Sequence, residues 1–133
     1  MKITGGCHCD AIRYEAEVDP QRVAICHCTD CQVLSGAAYR VVVPAPAFTL
    51  LSGEPKVYLK TAESGRQRVQ AFCANCGTSI YSADPTNTKQ FSIRVGTVRE
   101  RAQLVPKRQL WCRSAMNWAS NLGPITQIET QDF

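Results

Sequence analysis

The sequence predicts an all-β chain, mainly β with short helical turns, and three observations carry that reading. Its apolar runs are short and rich in branched and aromatic residues. Gly, Pro, Asp and Ser break them up at close intervals. No stretch holds an apolar 3.6-residue period long enough for a helix that is stable alone.

Taken in order, residues 11–18 alternate in part through Ile12, Tyr14, Ala16 and Val18, as a half-buried strand does, and Asp19-Pro20 ends the run. Residues 39–43, 57–60, 68–72 and 91–95 read as further strands. Turn signals at Ser52-Gly53-Glu54-Pro55, Ser64-Gly65 and Asp84-Pro85 separate them. Residues 30–35 and 99–104 are short helical candidates, and Gln109-Leu110-Trp111-Cys112 is one more apolar, strand-like stretch. At 133 residues, with no linker or break in composition, residues 1–133 read as a single domain.

Seven of the eight cysteines fall into three clusters: Cys7-His8-Cys9, Cys26-His27-Cys28-Thr29-Asp30-Cys31 and Cys73-Ala74-Asn75-Cys76. Disulfides are the alternative, but cysteine makes up only about 6% of the chain, below the level of small secreted disulfide scaffolds. Met1 to Gly6 leads into the first cluster without a signal-like apolar stretch, and no later run approaches the roughly 18 apolar residues of a membrane span. The expectation is therefore a soluble cytoplasmic protein whose thiols stay reduced and hold metal.

Zinc suits such clusters, because tetrahedral thiolate coordination sets sulfurs roughly 3.8 Å apart. In Cys73-Ala74-Asn75-Cys76-Gly77 two intervening residues form a turn that aims both sulfurs at one point, with Gly77 free to turn left-handed. Cys7 and Cys9, as alternate residues of an extended strand, would face one metal while His8 points away. Cys7, Cys9, Cys73 and Cys76 are thus assigned to a closed structural zinc. Cys26, Cys28 and Cys31 remain for a second zinc, with an open fourth position of the catalytic kind. Cys112 is read as a buried thiol, the alternative being that it closes the second site and makes it structural. His27, like His8, is expected to point away from the metal, to the surface or a supporting contact.

The formal charge of +4 resides in residues 99–113, where Arg99, Arg101, Lys107, Arg108 and Arg113 face Glu100 alone. Seven thiolates with two zinc ions would bring the chain near +1, too little for a nucleic-acid binder. The basic segment is a solvated face or a grip for carboxylates.

The clusters in their settings resemble the glutathione-dependent formaldehyde-activating enzyme family: Gly5-Gly6-Cys7-His8-Cys9, then Cys26 to Cys31, then Phe72-Cys73-Ala74-Asn75-Cys76-Gly77-Thr78. Ser35-Gly36-Ala37, Ser52-Gly53-Glu54-Pro55 and a late segment ending in Arg113 and Trp118 extend the likeness over nearly the whole chain. The resemblance implies an Mss4-like fold with a structural zinc on Cys7, Cys9, Cys73 and Cys76 and a catalytic zinc on Cys26, Cys28 and Cys31. It also implies glutathione as cosubstrate, formaldehyde as the aldehyde, and S-hydroxymethylglutathione as the product. Arg40, Arg94 and Arg113 are the candidate contacts for the carboxylates of glutathione. The chain departs from the family pattern at Asp10, where members commonly carry glycine, and at Gln109, near a common histidine. The competing readings are a zinc-stabilised binding or glutathione-carrier module without catalysis, and a protein in which both clusters are structural.

Overall fold

The computed structural model describes residues 1–86 and 89–131. Among them ten strands and one α-helix form two sheets. The strands are β1 (Lys2–Gly6), β2 (Arg13–Glu17), β3 (Ala24–Cys26), β4 (Arg40–Ala45), β5 (Ala47–Ser52), β6 (Lys56–Thr61), β7 (Gln67–Phe72), β8 (Ser79–Ala83), β9 (Phe91–Arg94) and β10 (Arg108–Leu110). The helix α1 (Thr29–Ser35) follows β3. The small sheet runs β1-β2-β5, and the large one β10-β3-β4-β9-β8-β7-β6. Neighbours are antiparallel except β10 and β3, which run parallel. β4 belongs to the large sheet and β5 to the small one, with Pro46 alone between them. A proline, with no amide hydrogen, suits a corner where the chain leaves one ladder for another.

The expected strands at 11–18, 39–43, 57–60, 68–72 and 91–95 are present as β2, β4, β6, β7 and β9, and 30–35 lies within α1. Residues 99–104 do not form the expected helix. They contain a single 3₁₀ turn at Arg101–Gln103, because the segment serves as an edge cover for β1. Glu100 accepts hydrogen bonds from the Thr4 amide at 2.9 Å and the Thr4 hydroxyl at 3.0 Å, while the Arg99 amide donates to the Thr4 carbonyl at 2.9 Å. Backbone groups on β1 that no strand pairs are satisfied in this way.

Register divides the large sheet into two faces. Val43, Ile93 and Tyr81 pair across β4, β9 and β8, as do Ala45, Phe91 and Ala83, and these residues pack into the core. The opposite face carries Cys26 paired with Arg40, Val42 paired with Arg94, and the row Gln70, Ser82, Ser92. Residues paired across strands share a face, so one face is apolar and the other polar.

The small sheet closes the apolar face with Tyr14 and Phe48. The Phe48 ring lies 4.9 Å from the rings of Tyr14, Tyr81 and Phe91. Tyr14 is fully buried and its hydroxyl lies 2.7 Å from Thr97 Oγ1. Thr97 spends its one proton on the Arg94 carbonyl at 2.8 Å, so Tyr14 is the donor of the pair. Gly5 sits against this ring: a Cβ there would overlap the Tyr14 phenol and the Thr97 carbonyl. Gly5→Ala should therefore lower stability by about 2–3 kcal/mol, read as a lower urea midpoint.

Burial pushes the Tyr14 phenol up to about 12. The folded state then holds the neutral phenol while the unfolded chain ionises, so stability is full below about pH 10 and falls as pH rises towards 12. The Tyr14 contribution to that fall should be roughly 2–3 kcal/mol. Urea unfolding from pH 9 to 12 should show a steeper loss in the wild type than in Tyr14→Phe, which lacks the ionisable group.

Candidate metal centres

The first cysteine group is built from two turns of the same design. β1 and β2 pair to Gly6 and Arg13, so the chain must reverse within the six residues between them. The Cys7 amide donates to the Ile12 carbonyl at 3.1 Å and the Asp10 amide to the Cys7 carbonyl at 3.2 Å. The second turn repeats this: the Cys73 amide donates to the Thr78 carbonyl at 2.9 Å, and the Gly77 amide to the Cys73 carbonyl at 2.8 Å. Each turn holds one left-handed residue, Asp10 at φ 64° and Gly77 at φ 78°. Gly77 is where the sequence placed that conformation. Cys7 and Cys9, however, do not lie on an extended strand. β1 ends at Gly6, and Cys9 joins the other sulfurs because the turn folds it back beside Cys7. Asp10 occupies a conformation that glycine adopts without penalty, and its short polar side chain makes it one of the better substitutes.

The sulfurs of Cys7, Cys9, Cys73 and Cys76 all lie within 4.8 Å of one another. Cys9 Sγ is 3.6 Å from Cys7 Sγ and 3.7 Å from Cys73 Sγ, close to the separation of thiolates around one tetrahedral metal. Supporting donors surround them. The Ile12 amide points at Cys7 Sγ at 3.2 Å, and the Thr78 hydroxyl accepts from the His8 amide at 3.1 Å and donates to Cys76 Sγ at 3.1 Å. The Thr78 hydrogen bond is the largest influence holding the Cys76 thiol down to about 5, while burial pushes Cys7 up to about 11. The four donors fit one thiolate-binding ion, and Cys7 and Cys73 also belong to the hydrophobic core.

The second group stands on the polar face of the large sheet. Cys26 ends β3, Cys28 is the N-cap of α1, and Cys31 lies in its first turn. The Cys31 amide donates to Cys28 Sγ at 3.3 Å, and the three sulfurs again lie within 4.8 Å of one another. A hydrogen bond from Cys31 brings the Cys26 thiol down to about 5, and the same bond, with burial, pushes Cys31 up. Gln32 fastens the turn from outside by donating to the carbonyls of His27 at 2.8 Å and Ser114 at 2.9 Å. His27 does turn from the sulfurs. It is buried, not on the surface, and its Nε2 donates to Gln109 Oε1 at 2.7 Å. His8 is exposed.

Cys112 is neither the buried thiol expected from its apolar neighbours nor a fourth sulfur. β10 stops at Leu110, Trp111 turns left-handed at φ 58°, and Cys112 is carried to the surface in a 3₁₀ turn. Among the described residues the second group stays at three.

Cys26, Cys28 and Cys31 open on a cavity of about 200 Å³, whose walls include Arg40, Lys60, Arg68, Gln70 and Arg94. Cys28 and Lys60 also line a larger outer cavity of about 420 Å³, with Asp30, Glu63 and Trp111. Of the three arginines expected to contact glutathione carboxylates, Arg40 and Arg94 line the cavity with the cysteines and Arg113 does not. It is exposed, stacked 4.9 Å above the Trp111 ring and paired with Glu63 at 2.7 Å, at the outer rim. Burial, then the charge of Arg40, lowers the Arg94 guanidinium to about 9.

Lys60, Arg68, Gln70, Ser82 and Ser92 were missed. Their signal was present as polar residues at alternate positions of strands whose other positions are apolar, but only the register shows that they converge. Lys60 of β6 reaches Asp30 of α1 at 2.8 Å, although β6 and β3 lie at nearly opposite ends of the sheet. The sheet is curled enough to bring its ends together over the cavity.

No helix among the described residues is long and apolar enough to cross a membrane. A Schizosaccharomyces pombe protein named as an uncharacterized lyase is 28% identical over 79 residues, a match covering 59% of this chain and 56% of that protein. The match thus spans little more than half the length of that relative. The crystal structure of a Rhodobacter sphaeroides protein superposes with a TM-score of 0.61 at 18% identity, covering 80% of this chain and 98% of that one, which shows a shared fold. The model of the glutathione-dependent formaldehyde-activating enzyme family matches residues 2–114, and the chain belongs to that family.

Proposed function

We propose that the protein is a zinc-dependent carbon–sulfur lyase that joins a glutathione-like thiol to a small aldehyde such as formaldehyde, and separates them again through the hemithioacetal. Family membership supports the reaction class. The observation that carries the reading is the incomplete second cysteine group: three sulfurs converge on a cavity while the one spare cysteine lies on the surface. Three protein thiolates leave a fourth position for a substrate, whereas the first group supplies four and closes its site.

A zinc ion held by Cys26, Cys28 and Cys31 would supply Lewis acidity, lowering the pKa of a thiol or polarising an aldehyde oxygen. The chain provides the rest. Cys28 and Lys60 line both cavities, so a thiol entering by the outer cavity meets the inner one at these residues. Arg113 at the outer rim is assigned to a carboxylate of glutathione, exchanging Glu63 for it, and Arg40 and Arg94 are the cations available within. The thiol proton ends on the former aldehyde oxygen, so the addition needs no external acid or base in its balance. Seven thiolates intended for metal suit a reducing compartment, and the cytoplasm is the assigned location.

Thiols add to formaldehyde unaided, so the measurement is exchange NMR of formaldehyde with glutathione. The wild type should exceed the protein-free rate and Cys28→Ser should fall to it; equal rates in all three samples would leave a carrier module and end the lyase reading. Metal analysis should find about two zinc per wild-type chain. Cys28→Ser should keep about one and still unfold cooperatively, whereas Cys73→Ser should lose its cooperative transition, because the closed site ties metal binding to folding.

A further inference from the structure

Two buried guanidinium groups face the inner cavity, and among the described residues no carboxylate is paired with either. Arg40 and Arg94 are 6% and 7% exposed, and both donate to the same neutral acceptor, Gln70 Oε1, at 3.3 and 2.7 Å. Nε and Nη2 of Arg40 and Nε of Arg94 have no partner among the described residues. Buried cations in native proteins are paired, and buried donors are satisfied. Three thiolates around a divalent ion leave one negative charge, which balances one arginine and not two. Lys60 does not alter that balance, since Asp30 neutralises it. The cavity suits an anion that the described residues do not provide.

Its size limits which anion. The inner cavity, at about 200 Å³, has less than half the volume of the outer one, so the smaller reactant is assigned to it. The tripeptide is suited to the outer cavity of about 420 Å³. We propose that Arg40 and Arg94 form a subsite for a carboxylate carried by the aldehyde, so that the preferred aldehyde is a two-carbon oxo-acid of the glyoxylate kind and not neutral formaldehyde. This rests on the reading of the protein as a thiol–aldehyde lyase. The carboxylate docks on the two arginines, and the adjacent aldehyde carbon lies in the same small cavity as the cysteine sulfurs. A carbon–sulfur bond forms, the carbonyl π pair moves to oxygen, and that oxygen takes the thiol proton. The carboxylate is unchanged and nothing is oxidised or reduced.

The test uses the zinc-loaded full chain with glycolate, an unreactive carboxylate of the right size, followed by calorimetry. The wild type should bind glycolate and glutathione together. Gln70→Glu places a carboxylate of the same shape against both guanidinium groups, so it should raise the thermal midpoint and weaken glycolate at least about 30-fold. Arg94→Gln should weaken glycolate likewise. In exchange NMR with 2-mercaptoethanol, a thiol lacking carboxylates, the acceleration over the protein-free rate should be greater for glyoxylate than for formaldehyde. Absence of glycolate binding, equal binding by Gln70→Glu, or displacement of glycolate by glutathione would overturn the subsite; the last would assign the arginines to the tripeptide. Acceleration of formaldehyde with glutathione but no response to glycolate would end this proposal and keep the lyase. Glycolate binding that depends on Arg94, without acceleration of any thiol–aldehyde pair, would keep the anion subsite and end the lyase.

Discussion

The approach of Cys9 to Cys73, sulfurs 3.7 Å apart across 64 positions of sequence, is the constraint on which the rest of the molecule depends. It brings the turn that opens the small sheet against the turn that joins β7 to β8 in the large one. The aromatic layer between the two sheets centres on one ring, Phe48. A metal on the four sulfurs would contribute at the edge of that layer, where Cys7 and Cys73 are already core residues. Both turns are closed by the same five-residue outer hydrogen bond, with an inner bond of three residues in the Cys-x-Cys turn and four in the Cys-x-x-Cys turn. Left-handed residues at Asp10 and Gly77 complete them.

With the apolar face closed in this way, the large sheet is free to carry chemistry on its other side. Arg40, Gln70, Ser82, Ser92 and Arg94 project from four different strands. Isolated in sequence they are ordinary polar positions; in register they form one wall. The Asp30–Lys60 and Glu63–Arg113 pairs join segments near the two ends of the sheet over that wall. The second pair is exposed and contributes little stability on its own.

The backbone at Trp111 shows how a local conformation decides a functional question. Had β10 continued in extended form, the parallel register that pairs Leu110 with Cys26 would have set Cys112 opposite Cys28. One left-handed residue ends the ladder and sends the thiol to the surface, leaving three sulfurs at the cavity. Glu100 acts comparably: its bonds to Thr4 commit residues 99–104 to covering an edge, against a helical propensity too weak to resist.

By itself, the sequence determined what depends on short spacing and alternation. The two cysteine groups, the left-handed Gly77, α1 and the strands with clear alternation were all legible, because ligand geometry and strand period act within a few residues. β1, β3, β5 and β8 were not singled out: β1 ends in two glycines, β3 has three residues, and the others alternate weakly. The tertiary structure alone decided the side of the molecule on which each cation stands. Arg40 and Arg94 are brought to the sulfurs and Arg113 is left at the rim, because strand register and the curl of the sheet are set by long-range packing that no local pattern encodes. For the same reason the sequence could count seven clustered cysteines, but only the folded chain could place two guanidinium groups, unpaired among the described residues, beside three of them.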